Sequence, residues 1–157
     1  MSTINGGNYR QLVATSGAAL SHTGNTSETA LVSVPIPPLG PRDRIVCVLT
    51  WAYTNSANIK NLRVRYHTAA GTSGTQVCIS APTTTTSQTQ ILNGQNRAAT
   101  NSQIWGPGGG TTTASGIAGA ATTLDTTAVT YLNITATLAD AGETITLDSY
   151  LIEIVRG

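Results

Sequence analysis

The sequence predicts an all-β fold, a single antiparallel β-sandwich of jelly-roll type. Apolar and polar residues alternate with period two along much of the chain, and no long stretch keeps a helical period. Thr, Ser, Ala and Gly dominate the composition while Phe is absent, which suits pleated strands and tight turns. Eight or nine short strands joined by Gly, Pro and Ser turns, with no crossover helix between them, fit two packed antiparallel sheets. At 157 residues the chain is most simply one domain, long enough to bury a core without a metal or a disulfide. Residues 1–9 read as a polar N-terminal arm and residues 10–157 as the sandwich, with a long loop over residues 106–127.

The strands are expected at residues 11–20, 26–36, 44–53, 61–68, 75–80, 87–93, 102–105, 128–138 and 144–155. Between the first two lies "LSHTGNTSE", residues 20–28, which gathers Ser21, His22, Thr23 and Glu28. A catalytic triad would need the base within reach of the hydroxyl, but adjacent residues of an extended strand point to opposite faces. Gly24 and Asn25 instead supply a turn, with Thr26 and Ser27 available to bond its backbone. In "ALVSVPIPP" Val32, Val34 and Ile36 share a face, and the prolines at 35, 37 and 38 confine the strand to an edge or end it.

Cys47 in "RIVCVLTW" and Cys78 in "TQVCIS" sit inside strand-like runs, where a thiol packs as a small hydrophobe. A disulfide is disfavoured in a reducing compartment, and no catalytic-cysteine signature surrounds either residue. The strand "NLRVRYH" places Leu62, Val64 and Tyr66 on a core face and Arg63, Arg65 and His67 on a basic one. The segment "GPGGGTTTASGIAGAATTLDTT" is a low-complexity loop, long enough to suggest a role. It lacks the lysine of a phosphate-binding loop and leads into no helix. The final "YLNITATLADAGETITLDSYLIEIV" reads as a hairpin turning through Asp140, Ala141 and Gly142. Leu132, Ile134, Ala136 and Leu138 form its apolar face. Its last residues are apolar on both faces, as in a central strand or one covered by a neighbouring subunit.

Charged residues make up 10% of the chain and the net charge is +1, so no global field draws it to nucleic acid or to an anionic membrane. Low surface charge suits an assembled subunit better than a free monomer. Positions 1–70 carry six Lys or Arg against two Asp or Glu, and positions 71–157 carry two against five, giving +4 and −3. The cluster Arg42, Arg44, Lys60, Arg63, Arg65 and His67 reads as a solvated face, a contact between copies or with a partner, or a nucleic-acid patch. The last lacks interleaved aromatics. No metal-ligand spacing appears, and no cofactor, metal or catalytic residue is expected. The opening "MSTINGGNYRQL" has no basic segment followed by an apolar run, so no secretory signal is expected. Nothing reaches transmembrane length. Jelly rolls also serve as lectins; for that use Trp51 reads as core, whereas Trp105, before the glycine-rich loop, reads as exposed.

The strings "SHTGNTSETALVSVPIPP", "LTWAYTNSANIKNLRVRYH" and "LADAGETITLDSYLIEIV" resemble small structural proteins of tailed bacteriophages. The resemblance covers roughly residues 20–68 and 128–155; the segment between matches only in being rich in Gly, Ala and Thr. It implies a virion protein with a β-sandwich fold, oligomeric and without enzymatic activity. The expectation is a capsid decoration (cement) protein, assembled in the host bacterial cytoplasm as a homo-oligomer with a trimer favoured. It would bind the major capsid protein or another virion protein, without direct nucleic-acid or membrane contact. Tyr9, Arg10, Arg63, Arg65, His67, Trp105, Gly108 and Thr111 are the expected contacts, with arm and loop reaching into neighbouring subunits. The alternative is a tail or fibre module recognising host surface glycans.

Overall fold

A computed structural model describes residues 9–107 and 120–157. Its described strands are β1 (Arg10–Ser16), β2 (Leu20–Thr23), β3 (Thr29–Ile36), β4 (Arg44–Tyr53), β5 (Lys60–His67), β6 (Thr75–Ser80), β7 (Ser87–Asn96), β8 (Gln103–Pro107), β9 (Ala120–Thr122), β10 (Thr130–Leu138) and β11 (Thr144–Val155). They form two antiparallel sheets. The larger, sheet A, runs β1-β11-β4-β7-β8-β9, with β2 also pairing β11, and the smaller, sheet B, runs β3-β10-β5-β6.

The pairings are nested. β1 and β2 pair β11, β3 pairs β10, β4 pairs β7 and β5 pairs β6. This is a jelly roll: the chain behaves as a long hairpin folded over so that its arms fall alternately into two sheets. β8 and β9 are an addition that widens sheet A beyond β7. β3 lies at an edge of sheet B and ends at Ile36, where the prolines place it.

Two expectations are corrected. β10 and β11 do not form a hairpin, because each lies at the middle of a different sheet. The Asp140–Gly142 turn therefore carries the chain across the sandwich, and Gly142 does not adopt positive φ, which among the described glycines is found at Gly24, Gly71 and Gly74. The strand expected over residues 11–20 ends at Ser16, and a separate short strand, β2, occupies Leu20–Thr23 in the segment read as a turn; β1 and β2 pair successive stretches of β11.

The core lies between the sheets. Ile45, Cys47, Leu49 and Trp51 of β4, with Ile145, Leu147, Ile152 and Ile154 of β11, face Leu62, Val64 and Tyr66 of β5 and Leu132, Ile134, Ala136 and Leu138 of β10. Bulges adjust which residues face inward. In β11 the register shifts at Asp148, so the core positions pass from the odd-numbered Ile145 and Leu147 to the even-numbered Ile152 and Ile154. A bulge in β6 likewise buries the neighbours Val77 and Cys78 together.

Polar groups inside the sandwich are matched to the aromatic residues. Trp51 Nε1 donates to Gln90 Oε1 at 3.0 Å, and Tyr53 donates its hydroxyl to Gln88 Oε1 at 2.9 Å. Trp105, expected at an exposed loop, is 1% exposed. Its ring lies against Tyr66 with centroids 4.8 Å apart, and its Nε1 donates to Thr122 Oγ1 at 3.1 Å. Thr122 belongs to β9, the strand that lies inside the expected loop. Cys47 and Cys78 are buried free thiols; burial pushes the Cys78 thiol up to about 11 and raises Cys47 further, far from a reactive thiolate.

Candidate functional site

The expected contact residues fall on separate surfaces. Tyr9 is 61% exposed, and its carbonyl accepts a bond from the Arg156 amide at 3.0 Å. Beside it Arg10 pairs with Glu153 at 2.7 Å across the β1–β11 edge. Arg63, Arg65 and His67 lie on the outer face of sheet B, away from this corner. Trp105 is in the core and unavailable to a partner. Gly108 and Thr111, like the arm over residues 1–8, lie outside the described residues.

The basic face of β5 is not free. Arg65 grips Glu28 in a two-pronged pair, Nε to Oε1 at 2.7 Å and Nη2 to Oε2 at 2.8 Å. Arg63 stands 3.7 Å from the same carboxylate and donates to Thr137 Oγ1 at 2.7 Å. Thr135 donates to Glu28 Oε1 at 2.6 Å. Asn133 donates to the Ala69 carbonyl at 3.0 Å and accepts from the Gly71 amide at 3.3 Å, tying the turn after β5 over the sheet. His67 Nδ1 accepts from the Ala69 amide at 3.1 Å, which makes it a turn-stabilising residue.

The Arg65 bond holds the Glu28 carboxyl below its ordinary value of 4.5, against the opposing effect of burial, with Thr135 and Arg63 assisting. A lowered folded-state value means the stabilisation is fully present above 4.5 and is lost as pH falls through the lowered value. The expected result is a urea midpoint that falls more steeply below pH 4.5 in the wild type than in Glu28→Gln. Superimposable acid profiles would show that the pair contributes nothing.

Glu28 is thus engaged on sheet B and takes no part in a triad. His22 is 3% exposed, with an Nε2 that has no bonding partner, while Ser21 bonds Thr146 on the other face of β2 at 2.9 Å. The Gly24–Asn25 turn forms as expected, with Gly24 at φ 85° and Asn25 Oδ1 accepting from the Ser27 amide at 3.0 Å. Among the described residues no group of three His, Cys, Asp or Glu could hold a metal ion.

Part of the charge asymmetry of the two halves is met within one copy, through Arg10 with Glu153 and Lys60 with Glu143. Lys60 is 0% exposed. Its Nζ donates to Ser56 Oγ at 2.6 Å, Asn58 O at 2.8 Å and Thr83 O at 3.2 Å, and lies 3.4 Å from Glu143. Ser56 also bonds Glu143, and that bond, with the Lys60 charge, outweighs desolvation and lowers the Glu143 carboxyl. At the opposite end Asp43 is held ionised against the cost of burial by the Gly40 amide and by Arg156. Of the first-half cations, Arg42 and Arg44 remain without a carboxylate partner among the described residues.

The surface left open is the outer face of sheet A. Register places Thr15, Leu151, Val48 and Ile91 side by side across four strands. A second row aligns Ser149, Thr50 and Thr89, and a third Ser21, Thr146, Ala52 and Ser87. These rows carry aliphatic groups and hydroxyls and no charge. Charge gathers toward the far end, with Glu153 in the row Leu12, Glu153, Val46 and Asn93 and the arginines in the last row, Arg10, Val155, Arg44 and Gln95. There Arg42, Arg44, Gln95, Val155, Arg156 and Gly157 line a pocket of about 150 Å3. The sequence signal for this face was the double-sided apolar character of "RIVCVLTW" and "LDSYLIEIV".

No protein-family model matches the chain, and no curated protein matches it. Solved structures with a similar course include latent PorU of Porphyromonas gingivalis, at TM-score 0.42 and 8% identity, over 95% of this chain and 13% of that one. A second is the CBM2 module of the evolved Dit of Lactobacillus casei BL23 phage J-1, at TM-score 0.42 and 8% identity, over 80% of this chain and 69% of that one. A third is infectious bursal disease virus Gt strain, at TM-score 0.40 and 14% identity, over 96% of this chain and 33% of that one. Likenesses this distant carry no inference about role.

Proposed function

We propose that the chain is a structural protein of a tailed-phage virion, a capsid decoration protein that seats on the shell through the outer face of sheet A. The observation that carries this reading is the pair of unlike outer faces. Sheet B is covered by its own ion pairs and turn, whereas sheet A presents three aliphatic and hydroxyl rows, with Glu153 and the arginines in the two rows toward one end. Such a face suits the apolar, weakly charged centre of a protein interface. The sequence resemblance supplies the virion setting. Copies act as a homo-oligomer, a trimer in this reading, and bridge the major capsid protein or another shell subunit. Many modest contacts then resist internal pressure through multivalency. The protein does no chemistry in this role.

The glycan-binding alternative loses its best stacking residue, since Trp105 is enclosed in the core. The test of the shell reading is Val48→Asp. Val48 lies mid-face on the outside of β4, so a carboxylate there leaves the core untouched. The expected result is binding to heads assembled without the protein at least about tenfold weaker, the loss of one interface anchor, with an unchanged thermal midpoint. Full binding by this variant would overturn the assignment of the face, and a handful of copies per virion by gel densitometry would overturn the capsid location.

A further inference from the structure

We propose that the corner pocket seats a carboxylate from an acidic side chain of a partner protein, held between Arg42 and Arg44. The pocket's other cation is already engaged. Arg156 donates to Asp43 Oδ2, to the Pro38 carbonyl and to Gln11 Oε1, and Asp43 receives further bonds from the Gly40 and Gly157 amides. That network closes on itself and fixes the floor. Arg44 is different: its Nε has no hydrogen-bond partner among the described residues, and the residue lines the pocket. No Asp or Glu pairs with Arg42 or Arg44 among the described residues.

The size and setting select the ligand. About 150 Å3 accommodates a carboxylate and the methylenes behind it, with Val155 as an apolar wall. A guanidinium fork matches a planar carboxylate in a two-pronged bond. Nucleic acid fits less well. Two uncommitted arginines can neutralise about two phosphates, whereas a DNA-binding face commonly engages about 6–10, and the single exposed aromatic at this corner among the described residues, Tyr9, falls short of a row of stacking surfaces. The pocket lies at the end of the outer face of sheet A, beyond the row that holds Glu153, whose carboxylate is already paired with Arg10, so an acidic residue entering it belongs to a protein surface lying along that face. The site needs only the pocket and stands whether or not the partner is a phage shell.

The test uses the 15N-labelled full chain, with the arginine Nε–Hε resonances followed at constant ionic strength. Sodium acetate, tetraglutamate, inorganic phosphate and a short DNA single strand are the probes. Acetate and tetraglutamate are expected to shift the Arg44 resonance saturably. In the Arg42→Gln/Arg44→Gln variant, tetraglutamate binding followed on backbone amides around Val155 should weaken about tenfold, the loss of charge-assisted bonds, with an unchanged thermal midpoint. Absence of a saturable shift, or undiminished binding by the variant, would overturn the proposal. Tighter binding of phosphate or of the DNA strand than of tetraglutamate would reassign the pocket to phosphate and equally overturn it.

Discussion

Trp105→Ala is expected to destabilise the protein by about 3–5 kcal/mol, the range for removing a fully buried tryptophan. The ring packs on Tyr66, its Nε1 anchors β9 through Thr122, and it covers the backbone of Gly94, to which Trp105 is paired across β7 and β8. Gly94 belongs to the same unit, since a Cβ at that position would lie 2.4 Å from the Trp105 ring. Gly94→Ala in the wild type therefore drives a methyl into an immovable aromatic plane and should cost about 1–3 kcal/mol. In the Trp105→Ala background the same methyl enters empty space, so the double variant should be no less stable than Trp105→Ala alone. Urea denaturation of the four proteins gives the coupling energy. Additive losses would show that Gly94 is glycine for some reason other than the ring.

Ile134→Ala should cost about 2–5 kcal/mol. Ile134 sits mid-strand in β10 beside Val32 of β3 and Val64 of β5 and is fully buried. Collapse around the missing atoms is restricted, because the other face of β10 is closed too: Asn133 and Thr135 are buried under the Arg65–Glu28 pair and the turn at residues 69–73. A rigid sheet with both faces covered relaxes little into a cavity. A loss under about 1 kcal/mol, typical of an exposed position, would show that the outer layer gives way.

Most of the strands were legible because alternation is a local signal. β4, β6 and β11 have the limits that the sequence pattern assigns, and Leu62, Val64 and Tyr66 face the core as their spacing requires. The pairing of β10 and β11 was not legible. An apolar strand, a Gly turn and a second apolar strand describe a hairpin and a crossing between sheets equally well, and only the competing partners β3, β4 and β5 decide between them. Trp105 was misplaced for a similar reason. Its neighbours "GPGGG" signal a loop, while the residues that enclose it, Tyr66, Gly94 and Thr122, are distant in sequence. The basic face of β5 was visible as a row of cations, but its neutralisation by Glu28 depends on β3 reaching across β10. The open face of sheet A was half visible, as apolar residues on both sides of two strands. The bulge at Asp148, which decides which of those residues point outward, leaves no pattern that a single sequence reveals.

The nesting of the strands also governs when the molecule can take shape. Arg10 meets Val155 and Ser16 meets Tyr150, so β1, made well before β11, waits for it before it has a partner. The innermost pair, β5 and β6, can close early over a short connection, and each later pairing encloses the one before it. Folding from the inside outward, with mostly long-range contacts, is a slow route. Through synthesis β1 and β2 remain without their partner, and Leu12, Val13 and Leu20 stay open to other chains until β11 arrives.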